Sequence, residues 1–304
     1  MREFRRRIKR HLQAPLFALL RGVSLGPLLW SRNRLLRHLL FEALGQSPYR
    51  GPLISRQGDI PFLHDSRDRG PGRDLFVRGA QDFGKLEKAL DIVQRQGRPI
   101  PSRMVDVGAN IGTICIPAVR RGAMRSAVAI EAVPSIVRLL RANIALNGLE
   151  DRIVVHAAAA TDRDGDELTM AVNEANLGDN RVASTAATKD MRVAETVQVP
   201  TLTLDRALAG DGSDVLIWMD IQGHEGVALA GAQGVLASRP PVVAEFCPAM
   251  MRQAGTFHRF KDAVGHYGMF WDLDRGDAGQ PIGALDALAE RLGDSGRFTD
   301  ILLL

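Results

Sequence analysis

From residue 101 to the end of the chain, short apolar runs alternate with segments in which apolar residues recur at helical spacing. The runs predict six strands: Met104–Val107, Ala127–Glu131, Ile153–Ala157, Val215–Asp220, Val242–Phe246 and Thr299–Leu303. The other segments predict five helices: Thr113–Arg121, Pro134–Leu146, Leu204–Leu208, His224–Leu236 and Phe257–Gly265. Apolar strands separated by amphipathic helices indicate a mostly parallel sheet covered on both faces. The predicted fold class is therefore α/β.

Two stretches depart from this alternation. Pro117 lies inside the first predicted helix, where it should kink the helix or shorten its start. Residues 163–200 predict a hairpin with a loop rich in Ser, Thr and Ala at Ala183–Thr188. This hairpin could form a polar lid over a substrate, or it could be an ordinary solvated hairpin. Its polar side chains are Asn173, Asn176, Asp179, Asn180 and Arg181.

The first hundred residues have a different pattern. Residues 1–45 predict two short helices, because leucines recur at helical spacing with arginines between them. The Pro- and Gly-rich residues 65–74 predict a loop, and residues 80–96 predict a helix. The expected organisation is a basic amphipathic helical arm over residues 1–50, a loop with a lead-in helix over 51–100, and an α/β domain over 101–304.

The composition adds a charge asymmetry to this organisation. The 304 residues include 39 Lys and Arg against 35 Asp and Glu, for a formal net charge of +4. Ten of the basic residues and one acid lie in residues 1–40, so the rest of the chain is net acidic. An acidic body does not favour binding to a polyanion. The basic arm could lie on an anionic membrane or pack on the body as a helical cap, and both interpretations stay open.

The two cysteines, Cys115 and Cys247, bear on the compartment. Two thiols cannot form a disulfide framework, they argue against a structural zinc site, and they indicate a reducing compartment. No apolar stretch is long enough to span a bilayer. The expected location is cytoplasmic, with peripheral contact at the inner membrane face if residues 1–45 bind lipid.

The clearest candidate binding segment is MVDVGANIG at residues 104–112. An apolar strand ends near Asp106, and a loop containing Gly108, Asn110 and Gly112 opens the next helix. Ligands of doubly wound sheets bind beyond the carboxyl ends of the strands, and glycine and asparagine tolerate the left-handed backbone of tight loops. The loop is not the Gly-x-Gly-x-x-Gly of dinucleotide sites, which argues against NAD. An ordinary strand-to-helix turn is the alternative.

Polar residues follow three further predicted strands at the same edge of the sheet. Glu131 ends the second strand, where an acid can accept both hydroxyls of a ribose. The segment DIQGHE at residues 220–225 joins the fourth strand to a helix, and Glu245 ends the fifth strand. Each residue also has an ordinary structural interpretation: a solvated acid at a strand end, a packed histidine at His224, or an acid that complements a helix dipole at Glu225.

Together these segments resemble the FkbM family of S-adenosylmethionine-dependent methyltransferases. The resemblance covers roughly residues 80–250, and the ordered pair of motifs around Gly108 and Asp220 makes it specific. The similar segments are VDVGANIGT (105–113), AIEAVPSIVRLLRANIALNGL (129–149), HAAAATDRDG (156–165), VPTLTLDRAL (199–208), IWMDIQGHEGVALAGAQGVL (217–236) and PVVAEF (241–246). The resemblance implies a Rossmann-like, doubly wound fold and S-adenosylmethionine as the cofactor.

The resemblance also implies roles for individual residues. Glu131 would hold the ribose, the segment from Ala157 to Asp162 would border the adenine, and Asp220 would lie beside the transferable methyl group. The expected cofactor-binding residues are Asp106, Gly108, Ala109, Asn110, Gly112, Glu131, Ala132, Ala158, Asp162 and Asp220. Many family members have a Lys where this chain has Met219 and a Glu where it has Gln222, so no role for a lysine or a second carboxylate carries over there.

An alcohol nucleophile needs a base at hydrogen-bonding distance. The candidate catalytic residues are Asp220, His224 and Glu245. His224 is the first choice, oriented by Asp220 or Glu225, because histidine titrates near neutral pH. Asp220 and Glu245 alone form a thin ligand set for a hard cation, so no metal is expected.

The leading hypothesis is O-methylation of a hydroxyl on a sugar, glycolipid or secondary metabolite, as the resemblance suggests. One alternative is a nucleic-acid methyltransferase guided by the basic arm. Aromatic residues make up only 5% of the chain, so base-stacking surfaces are scarce and nucleic acid is disfavoured as a partner. A second alternative is a cofactor-binding interaction module without catalysis.

Overall fold

The computed structural model describes residues 33–47, 51–79, 83–173, 175–184, 188–189 and 191–304. Within them the chain forms strands β1 (Pro52–Gln57), β2 (Ile60–Asp65), β3 (Arg103–Val107), β4 (Ser126–Glu131), β5 (Ile153–Ala157), β6 (Ala159–Ala160), β7 (Glu167–Asn173), β8 (Arg181–Val182), β9 (Val193–Leu202), β10 (Val215–Met219), β11 (Val242–Phe246), β12 (Met269–Asp272), β13 (Gln280–Pro281) and β14 (Thr299–Leu303). All six predicted strands are present.

The helices cover both faces of the main sheet. In chain order they are α1 (Arg34–Gln46), α2 (Pro71–Arg78), α3 (Phe83–Arg95), α4 (Cys115–Arg120), α5 (Pro134–Leu146), α6 (Leu204–Ala207), α7 (Glu225–Ala230), α8 (Gln233–Ala237), α9 (Pro248–Gln253), α10 (Phe257–Val264) and α11 (Leu285–Leu292), with a short 3₁₀ turn at Ile282–Ala284.

The main sheet has eight strands in the order β13-β12-β14-β11-β10-β3-β4-β5. The five strands from β11 to β5 run parallel, and β14 pairs antiparallel with β11 and β12. Alternate residues of β10 enter different layers: Trp218 packs on the side of α3, α4 and α5, and Ile217 packs on the side of α7 to α11. This is the predicted Rossmann-like α/β fold, with its sheet buried on both faces.

The hairpin prediction for residues 163–200 is also confirmed. Strands β7 and β9 pair antiparallel, from Glu167 opposite Pro200 to Asn173 opposite Val193. With β6 and β8 they form a separate four-stranded sheet. Within the connection between β7 and β9, Leu177, Gly178 and Asn180 lie beside the carboxyl ends of the main sheet.

The predicted loop over residues 65–74 is confirmed only for residues 66–70, and the two strands that precede it within residues 51–65 were not predicted. Strands β1 and β2 form an antiparallel hairpin there, and α2 begins at Pro71. Proline suits the first turn of a helix, where its missing N–H has no partner to lose. Every second residue of β2, including Ile60 and Phe62, is buried against the main core, so tertiary packing stabilises a segment whose composition resembles a loop.

Two predicted helices differ in extent from the structure. Helix α4 begins at Cys115 rather than Thr113, with Pro117 in its first turn, as the shortened start predicted. The predicted helix over 224–236 is divided into α7 and α8 at Gly231. A Cβ built on Gly231 would lie 2.1 Å from the carbonyl oxygen of Thr161, so the two backbones touch there.

Most of the predicted basic arm, residues 1–32, lies outside the described residues, and so does most of the predicted membrane contact. The described part is α1, which buries Leu40 and Phe41 against Phe76 of α2. Leu35 and Leu39 on the same helix are 67% and 47% exposed. Among the helices of the described ranges, none is long and apolar enough to cross a membrane.

Candidate active site

A pocket lies beyond the carboxyl ends of β3, β4 and β10, the position where doubly wound sheets bind ligands. Its empty volume, counted out to its open mouth, is about 570 Å³. We call it the central pocket. It is lined by Val107, Gly108, Asn110, Ile130, Glu131, Ala132, Ala158, Ala159, Ala160, Leu168, Met170, Leu177, Gly178, Asn180, Val182, Asp220, Ile221, Gln222 and His224.

The loop after β3 forms the floor of this pocket. Gly108 has a φ of 81°, and a Cβ built on it would lie 2.0 Å from the carbonyl oxygen of Asp220. Only glycine therefore lets the ends of β3 and β10 come this close. The N–H groups of Gly108 and Ala109 donate to the carbonyl oxygen of Ile130, at 2.9 and 3.0 Å, which joins the loop to β4.

Two predicted cofactor residues support this loop from behind. Asp106 is buried, and its Oδ2 accepts from the N–H of Cys115 at 3.1 Å, at the start of α4. Burial raises the pKa of Asp106 to about 6. Gly112 has a φ of 91°, and a Cβ there would lie 2.5 Å from Cδ1 of Ile116. Both residues shape the loop through packing and capping.

Glu131 lines the central pocket at the end of β4. Its Oε2 accepts from the N–H of Asn110 at 3.0 Å, and its Oε1 accepts from the N–H of Val133 at 2.9 Å. Burial raises the pKa of Glu131 to about 7, against the lowering effect of its backbone hydrogen bonds. Each carboxylate oxygen has a second lone pair, so this fixed group can still accept hydroxyl hydrogen bonds.

One wall of the central pocket is apolar. Ala132, Ala158, Ala159 and Ala160 form part of it, and Leu168, Met170 and Val182 of the β7–β9 hairpin face them. An apolar slot of this kind fits a flat heteroaromatic ring. Asp162, which the sequence predicts beside the adenine, is not among the lining residues of the pocket, and its Oδ2 lies 2.7 Å from Nη1 of Arg259 in an ion pair.

The turn after β10 brings three polar side chains together. Asp220 is exposed, and its Oδ1 accepts from Nε2 of Gln222 at 2.5 Å. The same Nε2 donates to Oε2 of Glu245 at 3.2 Å. Gln222 has a φ of 55°, a left-handed conformation that costs a residue with a side chain free energy. The turn holds Gln222 in this strained conformation, in which its side-chain amide lies between two carboxylates.

Glu245 lies behind this turn, on β11. It is 9% exposed, and its pKa is raised well above its ordinary value by burial first, then by the charges of Asp220, Glu225 and Asp300. Glu245 contacts the pocket through Gln222 rather than as part of its lining.

The hypothesis that Glu225 orients His224 is wrong. Oε1 of Glu225 accepts from the N–H groups of Ile221 and Gly223, at 3.0 and 3.3 Å. Its Oε2 has no hydrogen-bond partner among the described residues. Burial raises the pKa of Glu225 to about 7. The side chain therefore stabilises the 221–223 turn, because its position at the start of α7 directs it back toward that backbone.

His224 lines the central pocket and is partly buried. Its pKa is lowered, first by burial and then by the positive charge of Arg259. The imidazole is therefore neutral at neutral pH, the form that can accept a proton. No group of three or more His, Cys, Asp or Glu side chains in the described part of the chain is placed to hold a metal ion.

Sequence reasoning missed the contribution of the β7–β9 hairpin to the pocket wall. Leu168, Met170, Leu177 and Val182 all line the pocket. Alternating apolar residues at Leu168 and Met170 indicated one buried face of a strand, but nothing in the sequence indicated what that face covers. Asn180, predicted as part of a polar lid, does line the pocket.

Comparison with known proteins identifies the family of the chain. The chain matches the model of the methyltransferase FkbM domain over residues 106–268, more than half of its length. The protein is a methyltransferase that uses S-adenosylmethionine. It belongs to the FkbM methyltransferase family. None of the curated proteins matches the chain significantly.

Solved methyltransferase structures are distantly similar to the chain. TYW2 of Pyrococcus horikoshii, in complex with MeSAdo, is 14% identical with a TM-score of 0.41, over 92% of this chain and 83% of that chain. The M. jannaschii tRNA m1G37 methyltransferase is 12% identical with a TM-score of 0.42, over 84% and 55%. The B. subtilis m1A22 tRNA methyltransferase TrmK is 10% identical with a TM-score of 0.35, over 71% and 64%.

Proposed function

We propose that this protein transfers a methyl group to a hydroxyl of a sugar, glycolipid or secondary metabolite. The observation that supports this most is that an exposed carboxylate, Asp220, and an imidazole, His224, both line the central pocket. An alcohol is a weak acid, so its methylation benefits from such a base at hydrogen-bonding distance. Asn180 adds an amide that suits a hydroxyl-rich ligand.

The donor set of the central pocket fits the cofactor. Glu131 would accept the ribose hydroxyls, and Ala132 and Ala158 would border the adenine together with the apolar hairpin residues. Gly108 and Asn110 would lie along the methionine part, with Asp106, Ala109 and Gly112 supporting their loop from behind. Asp162 is retained in the proposal only at the outer edge of the adenine site, because it pairs with Arg259.

When bound, the cofactor supplies an electrophilic methyl group on its sulfonium. The chain must orient the acceptor hydroxyl, exclude water and take one proton. We assign orientation to Asp220, whose position Gln222 fixes, and proton removal to His224. Glu245 acts on Asp220 through the shared amide.

Substitution of the two wall residues tests this assignment. D220N and H224Q should each lower kcat by about 100-fold or more while S-adenosylhomocysteine still binds, because general-base catalysis contributes about 10²–10⁴. The control is H258Q, at an exposed histidine on α10. Unchanged turnover in both variants would contradict the assignment. A wild-type protein that binds S-adenosylhomocysteine but transfers no methyl group would favour a module without catalysis.

The acceptor class needs a separate experiment. Extract of the source cell is incubated with the protein and methyl-labelled S-adenosylmethionine, and the label is sorted into lipid, glycan, small-molecule and nucleic-acid fractions. Label in the first three supports the proposal. Label in RNA that disappears when residues 1–45 are deleted would instead support the nucleic-acid alternative.

The proposal includes a cytoplasmic location. Cys115 and Cys247 are both buried and free, in keeping with a reducing compartment. The proposal keeps the three-part organisation into residues 1–50, 51–100 and 101–304. It also includes peripheral membrane contact through residues 1–45. Flotation of the full chain with anionic vesicles, compared with a chain lacking residues 1–32, tests that contact.

A further inference from the structure

Asp68 lies in the turn between β2 and α2, outside the residues that match the family model. Its side chain is buried, with the residue 2% exposed. Oδ1 accepts from the N–H groups of Gly70 at 3.0 Å and Leu177 at 3.1 Å, and Oδ2 accepts from the N–H of Gly72 at 2.7 Å. Two of these bonds are local, but the bond to Leu177 joins residues 109 positions apart.

Residues 175–180 form what we call the cover segment. Three further contacts attach it to the same turn. The N–H of Arg69 donates to the carbonyl oxygen of Ala175 at 2.8 Å. A Cβ built on Gly70 would lie 1.9 Å from Oδ1 of Asn176, and one built on Gly178 would lie 2.9 Å from Cδ of Pro71. The turn and the cover segment are therefore packed without space for larger side chains.

The other side of the cover segment contacts the loop of the central pocket. The carbonyl oxygen of Leu177 accepts from Nδ2 of Asn110 at 2.8 Å and from Nδ2 of Asn180 at 2.7 Å. The N–H of Asn110 donates to Glu131. Leu177 and Asn180 also line the pocket. A continuous series of hydrogen bonds thus runs from Asp68 through Leu177 and Asn110 to Glu131.

We propose that Asp68 is a positioning residue for the cofactor pocket, because it fixes the cover segment and, through Leu177, the side chain of Asn110. A carboxylate suits this role, since one group accepts three N–H donors in charge-assisted hydrogen bonds. The module before residue 80 is then part of the cofactor site, although its residues do not touch the cofactor. The inference rests on cofactor binding in the central pocket and is independent of the acceptor.

A purely local role for Asp68, such as holding the start of α2, gives a different expectation. Loss of local structure alone would lower the melting temperature and leave cofactor affinity unchanged well below that temperature. Loss of positioning would weaken the cofactor complex and increase hydrogen exchange in the cover segment. Affinity and local exchange therefore separate the two roles.

The test compares D68N and D68A in the full chain with D65N as the matched control. Asp65 lies three residues earlier in the same turn region, but its carboxylate bonds to Arg67. Binding of S-adenosylhomocysteine is measured by calorimetry, and amide exchange is measured by peptide. We expect D68A to bind about tenfold more weakly, in line with the loss of one charge-assisted hydrogen bond. D68N should be intermediate, and D65N should match the wild type.

Exchange of the 175–180 amides should increase in both Asp68 variants and not in D65N. By linkage, S-adenosylhomocysteine should protect the same amides in the wild type. The inference is wrong if D68N binds S-adenosylhomocysteine within twofold of the wild-type affinity and its 175–180 amides exchange within twofold of the wild-type rate. D68N alone serves as the test if D68A does not fold. A wild-type protein that binds no S-adenosylhomocysteine would instead overturn the cofactor assignment itself.

Discussion

Gln222 and Asp220 are joined by a hydrogen bond of 2.5 Å from Nε2 to Oδ1, and the amide nitrogen of Gln222 also contacts Glu245 at 3.2 Å. One donor therefore stands between two carboxylates at the end of the sheet. Because the amide is neutral, it lies between the two carboxylates without adding charge. The first prediction concerns its replacement by a carboxylate.

Gln222→Glu should move the acidic limb of the kcat/KM profile to higher pH by about one unit, because a third carboxylate beside Asp220 and Glu245 makes proton loss from the cluster harder. Methyl transfer is measured from pH 5 to 9. Q222M removes the amide without adding charge, so it should lower the rate and leave the limb in place. Q233E adds charge on α8, at a residue that does not line the central pocket, and should change neither quantity.

A second prediction concerns Glu225, whose carboxylate is fully buried and whose pKa is raised by burial to about 7. The folded state binds this proton more tightly than the unfolded state. The resulting stability is present below the ordinary pKa of 4.5 and is lost as the pH rises through about 7. Its contribution to the free energy of unfolding falls by up to about 1.4 kcal/mol per pH unit in that window.

Glu225→Gln removes this proton linkage, so the free energy of unfolding should depend less steeply on pH between 5 and 7. Urea denaturation at several pH values measures the slope. E290Q, at an exposed position of α11, is the control and should keep the wild-type slope. An equal slope in E225Q would mean that Glu225 is ionised throughout this range.

Hydrophobic periodicity predicted six of the eight strands of the main sheet, because apolar runs such as Val215–Met219 are buried on both faces. It did not predict β12 or the two-residue strand β13 at the edge of the sheet. It failed at β1 and β2, where burial of Phe62 depends on contacts with distant parts of the chain. One of these is the side chain of Asn143, which bonds the backbone of Leu63.

The candidate site also contains some residues that the sequence predicted and others that it did not. Gly108, Glu131 and Asp220 were predictable, because each follows a recognisable strand and a strand end fixes the position of its own loop. Glu225 was assigned to the wrong partner, since sequence distance does not indicate whether a side chain turns toward its neighbour or toward the preceding backbone. The role of Asp68 depends on a contact with Leu177 that no local pattern contains.

A third prediction tests the contact between the two strand ends. Gly108→Ala should abolish detectable binding of S-adenosylhomocysteine and destabilise the fold by more than about 2 kcal/mol. The added Cβ would lie 2.0 Å from the carbonyl oxygen of Asp220, so β10 must move. Calorimetry and urea denaturation measure the two effects.

Gly148→Ala is the matched control. Gly148 has a φ of 63°, and a Cβ there meets no described atom within 4 Å. The control should therefore cost only the backbone strain of about 1 kcal/mol and leave cofactor binding intact. Equal effects of the two substitutions would show that backbone strain, rather than the contact with Asp220, explains the requirement for glycine.

The last prediction concerns Asn143, which is fully buried on α5. Its Oδ1 accepts from the N–H of Leu63 at 2.6 Å, and its Nδ2 donates to the carbonyl oxygens of Leu63 at 3.0 Å and Ile111 at 2.9 Å. One amide thus joins β2, α5 and the loop of the central pocket. Its removal leaves three backbone groups without that partner: the carbonyl oxygen of Ile111, which is in a buried bond, and two groups of Leu63, which are half-buried. A buried group left without a partner costs about 1–3 kcal/mol.

Asn143→Ala should therefore lower the free energy of unfolding by about 3 kcal/mol or more and weaken S-adenosylhomocysteine binding, because Ile111 belongs to the pocket loop. Asn147→Ala, one turn later, is the comparison: its amide donates to Pro61 at 3.0 Å from a half-buried position, so about 1 kcal/mol is expected with no change in affinity. Denaturation and calorimetry on both variants provide the measurement. If N143A loses stability but keeps full affinity, then β2 contributes to the fold without contributing to the pocket, and the path from the hairpin to the cofactor runs through Asp68 alone.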